Sequence, residues 1–297
     1  MLNSEYIKQK ARELGASVCG IGAVYDEPNP QRDPKMILPN AKCIIGFGFA
    51  VPKGIYKAMK RESQLYTYTS LGVKYTDEEM AEIFLLKIGG LIENEGYDAC
   101  LQKAIPNLRI QGDKTTNPEV VDTYELIHAE AVEPGKPVPD VIIDFGKAAY
   151  SCGLGEVGMS GKIINEKYGP FMRYCFIITD APLEIDKPFE GHVCDECGKC
   201  AKACPGGAID KNGLDTWQCS VYYKGAHKSN PFITDEFLKG NPEREAILNG
   251  EKRFDAVSAR EIYKEMNFLP NTQWGYSPCL CGRKCDIACY EHIVGEL

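Results

Sequence analysis

Hydrophobic positions in the first part of the chain switch period several times, and each switch marks an element. Ile7, Ala11 and Leu14 recur at helical spacing over 4–14, and Gly15 stops that helix. Val18 to Val24 then reads as a strand with two glycines, and Cys43 to Val51 as a strongly apolar strand. Thr76-Asp77-Glu78-Glu79 has the form of a capping box that opens a helix to about Glu95, with Gly96 as its C-cap. Tyr97 to Leu101 resumes an extended run. Asp140 to Asp144 predicts a short strand, Phe145 to Ser151 a helix, and Arg173 to Thr179 another strand. Farther on, Ile262 and Met266 lie four apart in a helical stretch over 258–266, and 284–292 reads as a last helix. This alternation predicts an α/β (α+β) layer structure with helices packed against a sheet.

Length and composition narrow the class. With 297 residues, 44% hydrophobic and 26% charged, the chain has core enough to fold without a disulfide framework. The longest uninterrupted apolar run, 43–51, is too short to span a bilayer. Glu5, Lys8, Lys10, Arg12 and Glu13 leave no apolar core for a secretory signal. The expectation is a cytoplasmic protein without a membrane partner. A net charge of −8 argues against a general nucleic-acid footprint.

The 14 cysteines fall into two populations. Cys19, Cys43, Cys100, Cys152 and Cys175 stand alone, most in apolar surroundings, and read as buried thiols. The other nine lie in the last 104 residues. This shift predicts two domains, 1–188 and 189–297, with an insertion at about 220–277 in the second. Cys194-x2-Cys197-x2-Cys200-x3-Cys204-Pro205 has the spacing of a bacterial ferredoxin, in which three thiolates grip one cubane and the fourth reaches a second. Cys219 and the run Cys279, Cys281, Cys285, Cys289 supply partners. Zinc would need paired knuckles without the third cysteine, so two [4Fe–4S] clusters are the expectation. Cys289 should complete the cluster of Cys194, Cys197 and Cys200. Cys204 should join Cys219, Cys285 and either Cys281 or Cys279, of which Cys281 is favoured because Gly282 follows it. Trp217, Tyr222, Tyr223 and Trp274 are expected to pack over the clusters. The loop 276–282 offers few obvious shields and is expected to be exposed.

One segment of the first part stands out: Ser151 to Gly161, with glycines at 153, 155, 158 and 161. Gly153-x-Gly155-x-x-Gly158 formally fits a dinucleotide fingerprint, but a helix precedes it where a Rossmann loop needs a strand. Two readings stay open, a backbone that approaches a flat or anionic ligand and a tight helix-to-strand connection.

The segment 148–161, then Tyr168-Gly169-Pro170, then 177–184, then the two cysteine blocks in this order, resembles the epoxyqueuosine reductase and reductive dehalogenase superfamily. The resemblance covers 140–297 well and the first 140 residues loosely. It implies a nitroreductase-like α/β domain followed by a ferredoxin-like domain. It also implies a corrinoid (cobalamin) bound against the α/β domain, with Gly153, Gly155, Gly158 and Gly161 as contacts. Two clusters would feed single electrons to it from an external donor of the ferredoxin or flavodoxin class. The helical repeats that epoxyqueuosine reductases use with tRNA do not follow the cysteines here, so tRNA modification is not expected to transfer. The export signal and longer inserts of reductive dehalogenases are not seen either. The segment with the family's catalytic aspartate is absent, although Asp140 and Asp144 bracket its place. Asp140, Asp144, Glu156 and several tyrosines are candidate proton donors. The expected function is an iron–sulfur reductase of a small or unidentified substrate. An electron-transfer or reductive-activation protein for a partner corrinoid protein is the alternative, and a flavin site of nitroreductase type a third reading.

Overall fold

The computed structural model describes residues 2–104, 140–266 and 278–297. In chain order the described elements of the first part are α1 (Ser4–Glu13), β1 (Val18–Ala23), α2 (Pro34–Ile37), β2 (Cys43–Ala50), α3 (Lys53–Lys60), α4 (Leu65–Thr69), α5 (Ala81–Glu93), β3 (Ala99–Gln102), α6 (Phe145–Ser151), β4 (Glu156–Val157), β5 (Ile163–Ile164) and β6 (Met172–Thr179). They are followed by α7 (Lys199–Ala203), β7 (Ile209–Asp210), β8 (Gly213–Leu214), α8 (Thr216–Tyr223), α9 (Arg244–Leu248), α10 (Ala256–Tyr263) and α11 (Lys284–Ile293).

The main sheet has the order β1-β2-β6-β3, and each neighbouring pair is antiparallel. Helices do pack on the sheet as the alternation predicts, but the antiparallel pairing makes α+β the closer description. The apolar run of β2 is explained by burial on both faces. Cys43, Ile45, Phe47 and Phe49 join Ile7 and Ala11 of α1 and Phe84, Leu85 and Ile88 of α5. On the other face Ile44 joins Phe176 and Ile178 of β6 and Ala148, Ala149, Cys152 and Leu154.

That second face is where the glycines of β1 and β2 matter. A Cβ on Gly20 would stand 1.9 Å from the Cys152 carbonyl oxygen, and one on Gly46 would stand 2.6 Å from the Leu154 side chain. Bare backbone lets α6 and the segment after it settle directly on the strands, which fixes the start of the glycine segment.

Three expectations are corrected. Among the described residues Asp140–Asp144 pairs with no strand; Asp144 instead caps α6, accepting from Lys147 N at 3.0 Å. Thr76 does not open a helix, because a wide helical segment, Ser70–Met80, already runs through it into α5. Asp77 turns inward to hold Arg173 of β6, with Arg173 Nε 2.8 Å from Asp77 Oδ1. The loop before α11 is covered in its described part: Cys279 is fully buried, and Leu280 and Cys281 nearly so. Of the lone cysteines, Cys43, Cys152 and Cys175 are buried, while Cys19 and Cys100 are half-buried.

Residues between Cys219 and Cys279 build an apolar cluster of their own, in which Trp217, Val221 and Tyr222 meet Phe237, Ile247, Leu248, Phe254 and Ile262. Trp217 and Tyr222 therefore pack into the insertion, and Trp274 lies outside the described residues. A further cluster joins Val51, Tyr56, Met59, Tyr68 and Phe171 to Cys279, Cys281 and Ile287, with Tyr223 packed against it. The rings of Tyr56, Phe171 and Tyr290 stack in series, with centroids 3.4 and 4.3 Å apart.

Two glycine substitutions should separate packing from chain entropy. Gly20→Ala drives a methyl into backbone and should destabilise the fold by about 1–3 kcal/mol. Gly90→Ala meets nothing within 4 Å in α5 and should stabilise by about 0.5–1 kcal/mol. Denaturant unfolding of both variants checks the pair.

Candidate iron–sulfur sites

The loop before α7 turns sharply because Glu196 and Gly198 adopt left-handed backbone, with φ of 54° and 69°. The turn brings Cys194, Cys197 and Cys200 round one point, and Cys289 of α11 faces them: its thiol is influenced by all three. These four line a small pocket together with Gly158, Met159, Ser160 and Ile164. The Met159 amide donates to Cys194 Sγ at 3.4 Å.

The remaining thiols gather on the other side. Cys219 of α8 is influenced by Cys281 and Cys204, and Cys285 of α11 by Cys281 and Cys219. The Ala208 amide donates to Cys204 Sγ at 3.3 Å. Cys279 lies close as well, its sulfur 3.6 Å from that of Cys281. Helix α11 thus sends one thiol to either set, and so do α7, through Cys200, and the extended residue that ends it, Cys204. Cys200 and Cys204 are four apart, as are Cys285 and Cys289, and the order is reversed between the helices, so the two run antiparallel. Four residues of helix rise about 6 Å, so the two sets are close neighbours.

All eight donors are thiols, and burial keeps most of them protonated. It pushes Cys289 and Cys219 up to about 12 and Cys285 well above the ordinary thiol range. Cys281 is raised first by its hydrogen bond with Cys279 and then by burial. Metal binding must therefore displace protons. Two four-thiol sets suit iron–sulfur clusters, and the C-x2-C-x2-C-x3-C-P run favours them over zinc.

Apart from Glu156, the other groups at these sites were not singled out from sequence. Glu156, a candidate acid, instead braces the first loop: Oε1 accepts from Val193 N and, at 2.9 Å, from Cys194 N. His292 Nε2 lies 2.8 Å from Asp195 Oδ2, and Lys199 Nζ donates to Nδ1 at 2.8 Å. This chain ties the end of α11 to the first loop, and the His292 bond holds the Asp195 carboxyl below its usual range. Beside the second set Arg283 is buried with left-handed backbone, φ 47°. Its Nε donates to Asp286 Oδ2 at 2.8 Å, and its guanidinium lies over the Tyr68 ring, 5.6 Å from the centroid. Lys162, next to β5, is half-buried and feels the charges of this region. Arg283's charge, followed by burial, lowers it to about 8. Such interior charges leave no spacing signature, so only Glu156, inside the glycine segment, drew notice.

The four glycines face the chain's own atoms where a Cβ would stand. Gly153 would meet the Lys187 carbonyl at 2.8 Å, Gly155 the Ile164 carbonyl at 2.3 Å, Gly158 the Ile164 side chain at 3.0 Å, and Gly161 Leu214 at 3.4 Å. Beside them a cavity of about 490 Å³ is lined by Arg12, Cys19, Gly153, Leu154, Asn165 and Phe189, among others. Of the other candidate acids, Asp140 is exposed, and Asp144 caps α6 and lies 3.4 Å from Arg32.

No family model matches the chain. Epoxyqueuosine reductase of Bacillus cereus is 26% identical over 220 residues, 72% of this chain and 48% of that protein. Tetrachloroethene reductive dehalogenase of Dehalobacter restrictus is 45% identical over 100 residues, 31% of this chain and 17% of that protein. The match spans about half the length of the first of these relatives. Among solved structures, that of an epoxyqueuosine reductase with an epoxyqueuosine-modified tRNA stem loop aligns with a TM-score of 0.50 at 18% identity, over 97% of this chain and 81% of that one.

Thiol exposure gives a direct test of the geometry. In metal-free, reduced protein the exposed Cys197 should be alkylated at least about tenfold faster than Cys279, Cys281 or Cys285. Mass spectrometry of labelled peptides against time checks this.

Proposed function

This chain is a distant homologue of the epoxyqueuosine reductases and reductive dehalogenases over most of its length, and from that premise we propose that it is an iron–sulfur oxidoreductase. It passes single electrons from an external donor, of the ferredoxin or flavodoxin class, through two [4Fe–4S] clusters to a site beside the glycine segment. There a substrate, a small molecule in this reading, is reduced. The observation that carries the reading is the gathering of eight thiols into two adjacent sets across α7 and α11.

Cys194, Cys197, Cys200 and Cys289 would hold one cluster, and Cys204, Cys219, Cys281 and Cys285 the other. Such clusters, when bound, supply one-electron chemistry at potentials set by charge, hydrogen bonds and exposure. The chain's own groups do the shaping. The amides of Met159 and Ala208 donate to ligand sulfurs, and Glu156 holds the Cys194 backbone in place. Cys279 to Cys281 are buried on one side of the second set, whereas the exposed Cys197 opens the first to solvent, where a donor can approach. Among the described residues no helix is long and apolar enough to cross a membrane.

The corrinoid enters the proposal through the family resemblance. The cavity beside Gly153, about 490 Å³, has the size of a small-molecule site and would take only part of a corrinoid, which Gly153, Leu154 and Asn165 would border there. A bound corrinoid would supply low-valent cobalt chemistry.

Anaerobic purification followed by iron and sulfide assay tests the clusters. Cys200→Ala should remove about half the iron, since it breaks one set and spares the other; unchanged iron would sink the two-cluster reading. Extraction of the same protein for corrinoid and flavin tests the rest. Corrinoid supports the reading, flavin replaces it with a nitroreductase type, and neither favours an electron-transfer partner protein.

A further inference from the structure

The loop before α11 gives the second set one thiol more than a cluster needs. The sulfurs of Cys279 and Cys281 lie 3.6 Å apart, within hydrogen-bond range for sulfur, and the two residues are only 0% and 8% exposed. Their backbone is fastened on two sides. Cys279 N donates to the Leu65 carbonyl at the start of α4 at 3.3 Å, and Leu280 N to the Tyr223 carbonyl at the end of α8 at 2.9 Å. Gly282 N closes the turn by donating to the Cys279 carbonyl at 3.1 Å. The pair is therefore held together by the fold and not by metal.

The two thiols do not stand alike. Cys281 acts on Cys219 and Cys285, while Cys279 acts on Tyr68 and Tyr223 and packs with Tyr68 in one apolar cluster. A ligand sulfur carries no proton. Once Cys281 binds metal, only Cys279 can supply the hydrogen between the two sulfurs. Backbone amides already donate to ligand sulfurs in both sets, from Met159 to Cys194 at 3.4 Å and from Ala208 to Cys204 at 3.3 Å. Cys279 adds a side-chain donor, which substitution can remove. On the far side of the set Cys285 Sγ lies 3.6 Å from Asp286 Oδ1, but a ligating sulfur has no hydrogen to give, and Arg283 matches that carboxylate.

We propose that Cys279 is the hydrogen-bond donor to the ligand Cys281, and that it raises the reduction potential of the cluster held by Cys204, Cys219, Cys281 and Cys285. The proposal rests on the two-cluster reading above. Reduction adds one negative charge to a cluster, and a hydrogen bond to a ligand sulfur stabilises the reduced form more than the oxidised one. Buried as it is, this donor does not compete with water. Cys279 is a positioning residue, since it acts through Cys281 and touches no substrate. Of the nine thiols in the last part of the chain, eight hold iron and the ninth tunes it.

The test is a redox titration of the anaerobically prepared full chain, followed by electron paramagnetic resonance, with Cys200→Ala used to assign the two signals. Cys279→Ala should keep iron for two clusters. The reduced-to-oxidised ratio of its second cluster at a fixed potential should fall about tenfold, a shift of about 59 mV for one electron. The first cluster should not move. Cys279→Ser, whose hydroxyl donates from the same place, should bring the second cluster back towards its original midpoint. Loss of half the iron in both Cys279 variants makes Cys279 a ligand and overturns the proposal. Unmoved midpoints in Cys279→Ala overturn it too, as do equal shifts of both clusters or a shift in Cys279→Ser as large as that in Cys279→Ala. An unsubstituted protein with iron for fewer than two clusters overturns the underlying reading instead.

Discussion

Two pairs of cysteines four residues apart, one on α11 and one formed by Cys200 of α7 and its C-cap Cys204, are the constraint from which both thiol sets follow. On α7 the pair points to the first set and then the second; on α11 it points to the second and then the first. Reversing either helix would place Cys200 beside Cys285 and break both sets together. Contacts that hold α11 are therefore contacts that hold the sites. Tyr290 stacks on Phe171, Lys60 lies 2.5 Å from Glu291, and His292 reaches Asp195. Each comes from a different stretch of the chain, so the sites exist only once the sheet, α3 and the first cysteine loop are in place.

The same architecture makes the two sites unequal. One faces water at Cys197 and is braced by a carboxylate from the sheet side. The other is enclosed by Cys279 to Gly282, α8 and the aromatic residues of α3 and α4, and it sits among interior ions. Glycine at 155 and 158 lets the hairpin lie against Ile164 and Cys194, so part of what resembles a ligand-binding loop is used to bring the two parts of the chain together.

Legibility followed the length of the signal. Long periodic runs such as β2 and α5, and the spacing of the cysteines, announced themselves because repetition carries the information. Asp140–Asp144 failed as a strand because extended residues need a partner edge, which a local reading cannot supply. Thr76 failed as a cap because the helix arrives from upstream with wide turns that let Asp77 reach Arg173. His292 was invisible for a related reason: its partners, Asp195 and Lys199, lie far away along the chain, whereas Arg283, only three residues from Asp286, gave no local sign of its burial or of its left-handed backbone.

Burial of the second site also has a temporal side. Once α11 is seated, Cys279 and Cys281 are closed off beneath Leu65, whose carbonyl accepts from Cys279 N at 3.3 Å. Both sets take a thiol from that last helix, Cys285 in one and Cys289 in the other, so neither is complete until it docks. Assembly of the two sets is thus a single event, after which the exposed Cys197 still leaves the first in contact with solvent.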